Sequence, residues 1–205
     1  MRGGPLLDFA PGGLPVWLAP WAADFLNLQS FVCDFIETTV SRFAGRIRIW
    51  EVAARSNTGG GLPLTEEQRL ALTARTIEAA QRSDTEAQIF IRVDRPWGEY
   101  QAGGGFRLTP FQFVDALTRS RLGLTGVNLE IAVGYTPGGD LSRDLLVVSR
   151  LIDVWSLLSI SLHVTLAFPS RSGPDPQGSS CLQLARSPFA DDWSPDLQAR
   201  WARDF

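Results

Sequence analysis

Residues Arg46–Asn57, R-I-R-I-W-E-V-A-A-R-S-N, decide how this chain is read. They form a buried strand that ends in a polar cluster, and a helix-like segment, Phe31–Gly45, ends immediately before them. A tight helix-to-strand step followed by polar residues at the strand's C-terminal end is how a (β/α) barrel builds an active site. Two features run against that chemistry. Ala53 and Ala54 are inert, and Arg55 is a cation where acid/base chemistry would want a carboxylate.

Working outward, strands and helices alternate. Upstream, Pro5–Phe9 is a short apolar run broken by Pro11-Gly12-Gly13, and Leu14–Leu18 is a loop or short helix start. Asn27–Phe43 carries apolar residues at helical spacing, including Leu28, Val32, Ile36 and Val40. Downstream, Asn57–Leu64 is a Gly-rich loop, and Thr65-Glu-Glu-Gln68 is a capping box that opens a helix to about Arg82. Ala87–Val93 is a strand, followed by a long loop from Asp94 to Leu108. Thr109-Pro-Phe-Gln112 is a second capping box with Pro at the first helical position. Gly126–Val133 is the next strand, Gly138-Gly139-Asp140 starts a helix to about Leu158, and Ile160–Phe168 is a strand. After a Ser/Pro/Gly-rich loop, Ser194-Pro195 caps a last helix. Five β-α units in series with apolar strands describe an α/β protein, either a doubly wound sheet or a slice of a barrel. Long loops follow the strands and short ones precede them, which favours the functional face of a barrel.

The 205 residues, 44% hydrophobic, suit one domain spanning 1–205. A net charge of -3 gives no basic footprint for nucleic acid, and all 19 basic residues are Arg. Cys33 and Cys181 lie far apart without ligand-type neighbours, so no metal or other cofactor is expected, and Cys33 reads as a core residue. No run of about 18 apolar residues suggests a membrane span, and no signal peptide is visible.

The order Leu14-Pro-Val-Trp-Leu18, then Val40-Ser-Arg-Phe-Ala-Gly-Arg-Ile47 and Trp50-Glu51-Val52, resembles glycoside hydrolase family 10, the endo-β-1,4-xylanase-like barrels. Gly126–Glu130 is similar to that family's sixth strand, Leu162–Thr165 to its seventh, and Ser194–Ala199 to the start of its seventh helix. The resemblance implies an incomplete (β/α)8 TIM barrel holding strands three to seven, a fragment of a longer protein with two unpaired sheet edges. It also implies a glycosidase acting on a β-linked polysaccharide such as xylan, a carbohydrate partner, and an extracellular or periplasmic setting.

A retaining glycosidase needs two carboxylates. The resemblance puts the family's acid/base position at Arg55 and its nucleophile position at Leu166, so both glutamates are missing. An Arg, with a pKa above about 12, cannot protonate a leaving group. Substitute catalytic acids are sought at Glu130 and Glu99. Glu130 sits mid-strand with Asn128 and Ala132 on its own face, which points it inward. Alternation puts Glu51, Ala53 and Arg55 on one face; Glu51 is then either a site residue or a buried structural acid paired with an Arg such as Arg92 or Arg55. Asp94, Trp97 and Tyr100, with Trp17, Glu51, Arg55, Asn57 and Thr165, complete the substrate-binding set. The aromatic rings suit stacking on sugar faces, and equally suit anchoring of loops. His163, the only histidine, is opposite Leu166 in the alternation and is expected to face the helix layer. The alternative to an enzyme is a barrel that has lost catalysis and keeps a sugar groove.

Overall fold

The computed structural model describes residues 1–136, 138–173 and 182–204. Six parallel strands form one sheet: β1 (Arg2–Gly3), β2 (Leu7–Asp8), β3 (Ile49–Ala54), β4 (Gln88–Asp94), β5 (Leu124–Ala132) and β6 (Ser161–Ala167). β1 and β2 pair with successive parts of β3, Arg2 opposite Ile49 and Leu7 opposite Ala53, so they act as two halves of one edge strand. The order across the sheet is then β1/β2, β3, β4, β5, β6. Helices α1 (Phe25–Arg42), α2 (Glu66–Ser83), α3 (Pro110–Arg119), α4 (Leu145–Ser156) and α5 (Pro195–Asp204) follow the strands. The result is a half-barrel, an open arc of five strand positions backed by helices. It matches the expected partial (β/α)8 barrel of the α/β class.

The helices form where the sequence marks them. Thr65 and Gln68 exchange reciprocal hydrogen bonds at the start of α2, as do Thr109 and Gln112 at the start of α3. Each box satisfies amides that the first helical turn leaves unpaired. Leu28, Val32, Ile36 and Val40, four residues apart, are the buried stripe of α1 and pack in the apolar layer between helices and sheet. Burial of each such side chain contributes about 1.5–3 kcal/mol. Ile89, Ile91 and Val93 of β4 and Val127, Leu129 and Ile131 of β5 supply the sheet side of that layer. The alternate residues of the same strands face the barrel interior. No helix among the described residues is long and apolar enough to cross a membrane. Cys33 is half-buried and packs against the core, while Cys181 lies outside the described residues.

Three local expectations are corrected. The register shifts between Glu51 and Ala53, so Ala54 rather than Ala53 stands opposite Arg92. Glu51 and Ala53 therefore do not share a face, because the extra residue breaks the two-residue period. The helix expected from Gly138 begins only at Leu145, capped by Asp144, whose carboxylate accepts from Val147 N. Gly138–Asp140 instead folds back on β5, with Asp140 N donating to Ala132 O (2.7 Å). Finally, His163 faces the interior. Its ring stacks on Phe90 at 4.4 Å, and its Nδ1 lies 3.2 Å from Arg2 Nη1.

Candidate active site

The interior face is polar and layered. At the lowest level Arg2 reaches over the Phe90 ring towards His163. Gly126 is required here, because a Cβ at that position would lie 2.3 Å from the Phe90 ring. One level up, Glu51 is fully buried. It is paired with Arg2 and with Arg92 Nη2 (2.6 Å), and accepts from Asn128 Nδ2 (2.9 Å). Thr165 Oγ1 donates to Asn128 Oδ1 (3.0 Å), which joins β6 to this network. Glu51 is thus the ion-paired acid of its structural reading, with Arg92 among its partners. A carboxylate so enclosed is held by hydrogen bonds from Arg2 and Asn128 and by the ion pair with Arg92, and removing its cationic partners would leave a buried charge uncompensated.

Above this level, at the C-terminal ends of the strands, lies a cleft of about 200 Å³. Its lining includes Arg55, Thr58, Asp94, Arg95, Glu130 and Asp140. Asp94 and Glu130 are register partners on adjacent strands, so their backbones stand roughly 4.8 Å apart. Arg55 Nη1 donates to Asp8 Oδ2 (2.6 Å) and Nη2 to Glu130 Oε1 (2.6 Å). The Glu130 carboxyl is pushed above its ordinary range by burial, against the opposing pull of Arg55 and Arg92. Thr58 Oγ1 donates to Asp94 Oδ1 (2.7 Å). Arg55 and Arg95 are the first residues beyond β3 and β4, and both adopt left-handed backbone, with φ of 57° and 46°. Such conformations cost a bulky residue about 1–3 kcal/mol and concentrate at functional sites.

Sequence reasoning did not single out Asp140. Its Oδ2 accepts from Ala132 N (2.8 Å), while its buried Oδ1 has no hydrogen-bond partner among the described residues. Burial first, then the like charges of Glu99 and Asp94, push its carboxyl up to about 7. The signal in the sequence is only a Gly-Gly-Asp after a strand, which equally suits a helix start.

The other expected site residues divide. Thr165 joins the interior network below the cleft, but Leu166, which follows it, points to the opposite face and is 41% exposed. The position therefore directs no side chain into the cleft, and the reason His163 was expected outside is the same reversed alternation. Glu99 does not line the cleft; it pairs with Arg143, whose guanidinium lies 4.1 Å from the Trp97 ring centre. Asn57 is buried, and its Nδ2 donates to Asp94 O (2.9 Å) and to Tyr100 Oη (3.3 Å). Desolvation pushes the Tyr100 hydroxyl up to about 12. Asn57 and Tyr100 therefore pin the loops beside the cleft from below. Trp17 is half exposed on a 3-10 segment, Val16–Ala23, away from the cleft lining. Behind the loop after β3, the buried Arg69 donates to the carbonyls of Ser56 (2.8 Å) and Leu64 (2.8 Å), which fixes the turn carrying Thr58. Among the described residues, no group of three or more His, Cys, Asp and Glu side chains is arranged to hold a metal ion.

No protein-family model matches the chain, and no curated protein matches it by sequence. Solved structures do match. The family 10 xylanase of Thermobacillus composti superposes with a TM-score of 0.61 at 18% identity, over 92% of this chain and 53% of that one. The endo-1,4-β-xylanase of Caldicellulosiruptor owensensis gives 0.64 at 13% identity, over 100% and 60%. A family 10 protein of Paenibacillus barcinonensis gives 0.62 at 15%, over 87% and 55%. The chain spans little more than half the length of these structures. It has the fold of the family 10 xylanases, as a divergent and partial (β/α) barrel.

Proposed function

We propose that this chain is a glycoside hydrolase-like protein acting on O-glycosidic bonds of a β-linked polysaccharide such as xylan. The observation that carries this reading is the cleft at the C-terminal ends of the strands, where Glu130 and Asp94 stand side by side on β5 and β4. In a (β/α) barrel that end is where chemistry is placed. The xylanase identity of the solved neighbours directs the choice of glycan. The positions to which the resemblance assigns the family's two glutamates hold Arg55 and Leu166, and Leu166 lies on the opposite face from Thr165. Glu130 is the carboxylate of the relocated site. Hydrolysis of xylan and of aryl β-xylosides is the test, on the wild type, Glu130→Gln and Glu99→Gln. Loss of a group acting as acid or base lowers kcat/KM by about 10²–10⁴-fold, the expectation for Glu130→Gln. Glu99→Gln, outside the cleft lining, stays within a few-fold. Unchanged activity in both variants would sink the assignment.

A second reading, a carbohydrate-binding barrel without catalysis, is favoured by the ion pair between Arg55 and Glu130, which engages the carboxylate in the ground state. It requires xylo-oligosaccharide binding by calorimetry with no turnover in the wild type.

A further inference from the structure

We propose that Asp140 is the proton donor of this cleft, a role that rests on the hydrolase reading above. Three observations lead to it. The segment after β5 leaves the sheet and returns so that Asp140 is anchored twice on one residue: its N–H donates to Ala132 O (2.7 Å) and its Oδ2 accepts from Ala132 N (2.8 Å). The return depends on Gly139, where a Cβ would lie 2.4 Å from Tyr135 O and 2.6 Å from Ala132 O. Second, Oδ1 is buried, has no hydrogen-bond partner among the described residues, and belongs to a residue that lines the cleft. Third, Ala132 lies two residues beyond Glu130 on the same face of β5, roughly 7 Å along the strand. Asp140 is therefore held beyond Glu130 at the mouth of β5, with Oδ2 fixed on the Ala132 amide and Oδ1 buried and unpartnered among the described residues.

The groups facing it are mixed in sign. Asp94 and Glu99 act on it with like charge and Arg143 with opposite charge, while Glu130, Arg55 and Arg95 share the cleft. Burial in this setting holds the carboxyl up to about 7, where an exposed Asp would be fully ionised at neutral pH. In the reaction, the Asp140 O–H proton passes to the glycosidic oxygen as the C1–O bond breaks and the alcohol leaves. Water supplies hydroxide to C1 and its remaining proton to the Glu130 carboxylate. That proton returns to Asp140 through solvent, so one glycoside and one water give a sugar hemiacetal and an alcohol.

Leaving-group dependence separates this role from a structural one. Asp140→Asn keeps an oxygen for the Ala132 amide but has no proton to give. Its hydrolysis of unactivated xylo-oligosaccharides is expected to fall by about 10²-fold or more. Hydrolysis of a dinitrophenyl xyloside, whose leaving group needs no protonation, stays within a few-fold. The fall in wild-type kcat/KM as pH rises past about 7 should disappear in Asp140→Asn and return in Asp140→Glu. Equal slowing of both substrates overturns the proposal for Asp140 while leaving the hydrolase reading in place. A wild type that cleaves neither substrate overturns both. Carbon-13 NMR of the carboxyl groups gives a readout independent of turnover, and an Asp140 that titrates below pH 5 overturns the proposal on its own.

Discussion

Replacing Arg55 with Met tests how much of the site depends on one buried ion pair. The Arg55 and Glu130 side chains are 6% and 5% exposed, so the pair is desolvated, whereas Asp8 is 21% exposed and gains less. Met has similar length and accepts the same left-handed backbone at no greater cost than Arg, so the strain cancels. Removing one partner of a buried pair costs about 3–5 kcal/mol. For a chain of this size that lowers Tm by roughly 6–20 °C. The deficit depends on pH. Without Arg55, the folded-state pKa of Glu130 moves further above its unfolded value, and a carboxyl raised in this way contributes stability that is lost as pH rises. The deficit of Arg55→Met is therefore largest at pH 7. Near pH 4, where Glu130 is protonated in both states, it shrinks to about 1 kcal/mol, the worth of a lost hydrogen bond. Urea unfolding of the variant and wild type at both pH values measures it. A double variant, Arg55→Met with Glu130→Leu, removes both charges and should recover most of the loss. A deficit under about 1 kcal/mol at pH 7, or one equal at both pH values, would refute the desolvated pair.

Two further outcomes follow from the same interior. Between pH 4 and pH 7 the native state holds a proton on Asp140 that the unfolded chain releases, so stability falls as pH rises through this window. At 1.36 kcal/mol per pH unit, the interval from 3.8 to about 7 amounts to about 4 kcal/mol, a slope that Asp140→Asn should lack in denaturant unfolding; parallel curves would contradict it. Gly126→Ala places a methyl 2.3 Å from the Phe90 ring, which is already stacked on His163, and should destabilise by about 1–3 kcal/mol by thermal unfolding; an unchanged Tm would show that the ring can move.

What could be read from the sequence was local. Capping boxes at Thr65 and Thr109 act within four residues, and the α1 stripe repeats every turn, so both appear where expected. The alternation of strands and helices followed from the same punctuation, while the barrel order rested on the family resemblance. The errors arose where geometry is set by partners distant in sequence. A register shift opposite β4 moved Ala53 off the face of Glu51. The faces of β6 were assigned from Leu166, whereas the bond from Thr165 to Asn128 fixes them the other way. The composition of Gly138–Asp140 fits a helix start, yet its backbone closes on Ala132 and leaves the cap to Asp144. Asp140 has no local signature, since its burial and its unpaired oxygen, a feature Glu130 shares, are set by the fold.

Arg55 gains a different meaning once these placements are combined. As a cation at a position where the family resemblance implies a carboxylate, it reads in isolation as loss of chemistry. In the folded chain it pairs with Glu130, one of the three carboxylates lining the cleft, and with Asp8. Glu130 has Arg55 at 2.6 Å, which opposes the upward push of burial. Asp140 has no such ion pair among the described residues; its fixed oxygen accepts from the neutral Ala132 amide. Burial raises both Glu130 and Asp140, but an adjacent guanidinium counters it at Glu130, and carboxyls of one cleft in such unlike environments can divide into an acid and a base. On that argument the guanidinium counters the upward push of burial at Glu130, which suits it to the base role, while Asp140, held up to about 7 by burial, suits the acid role.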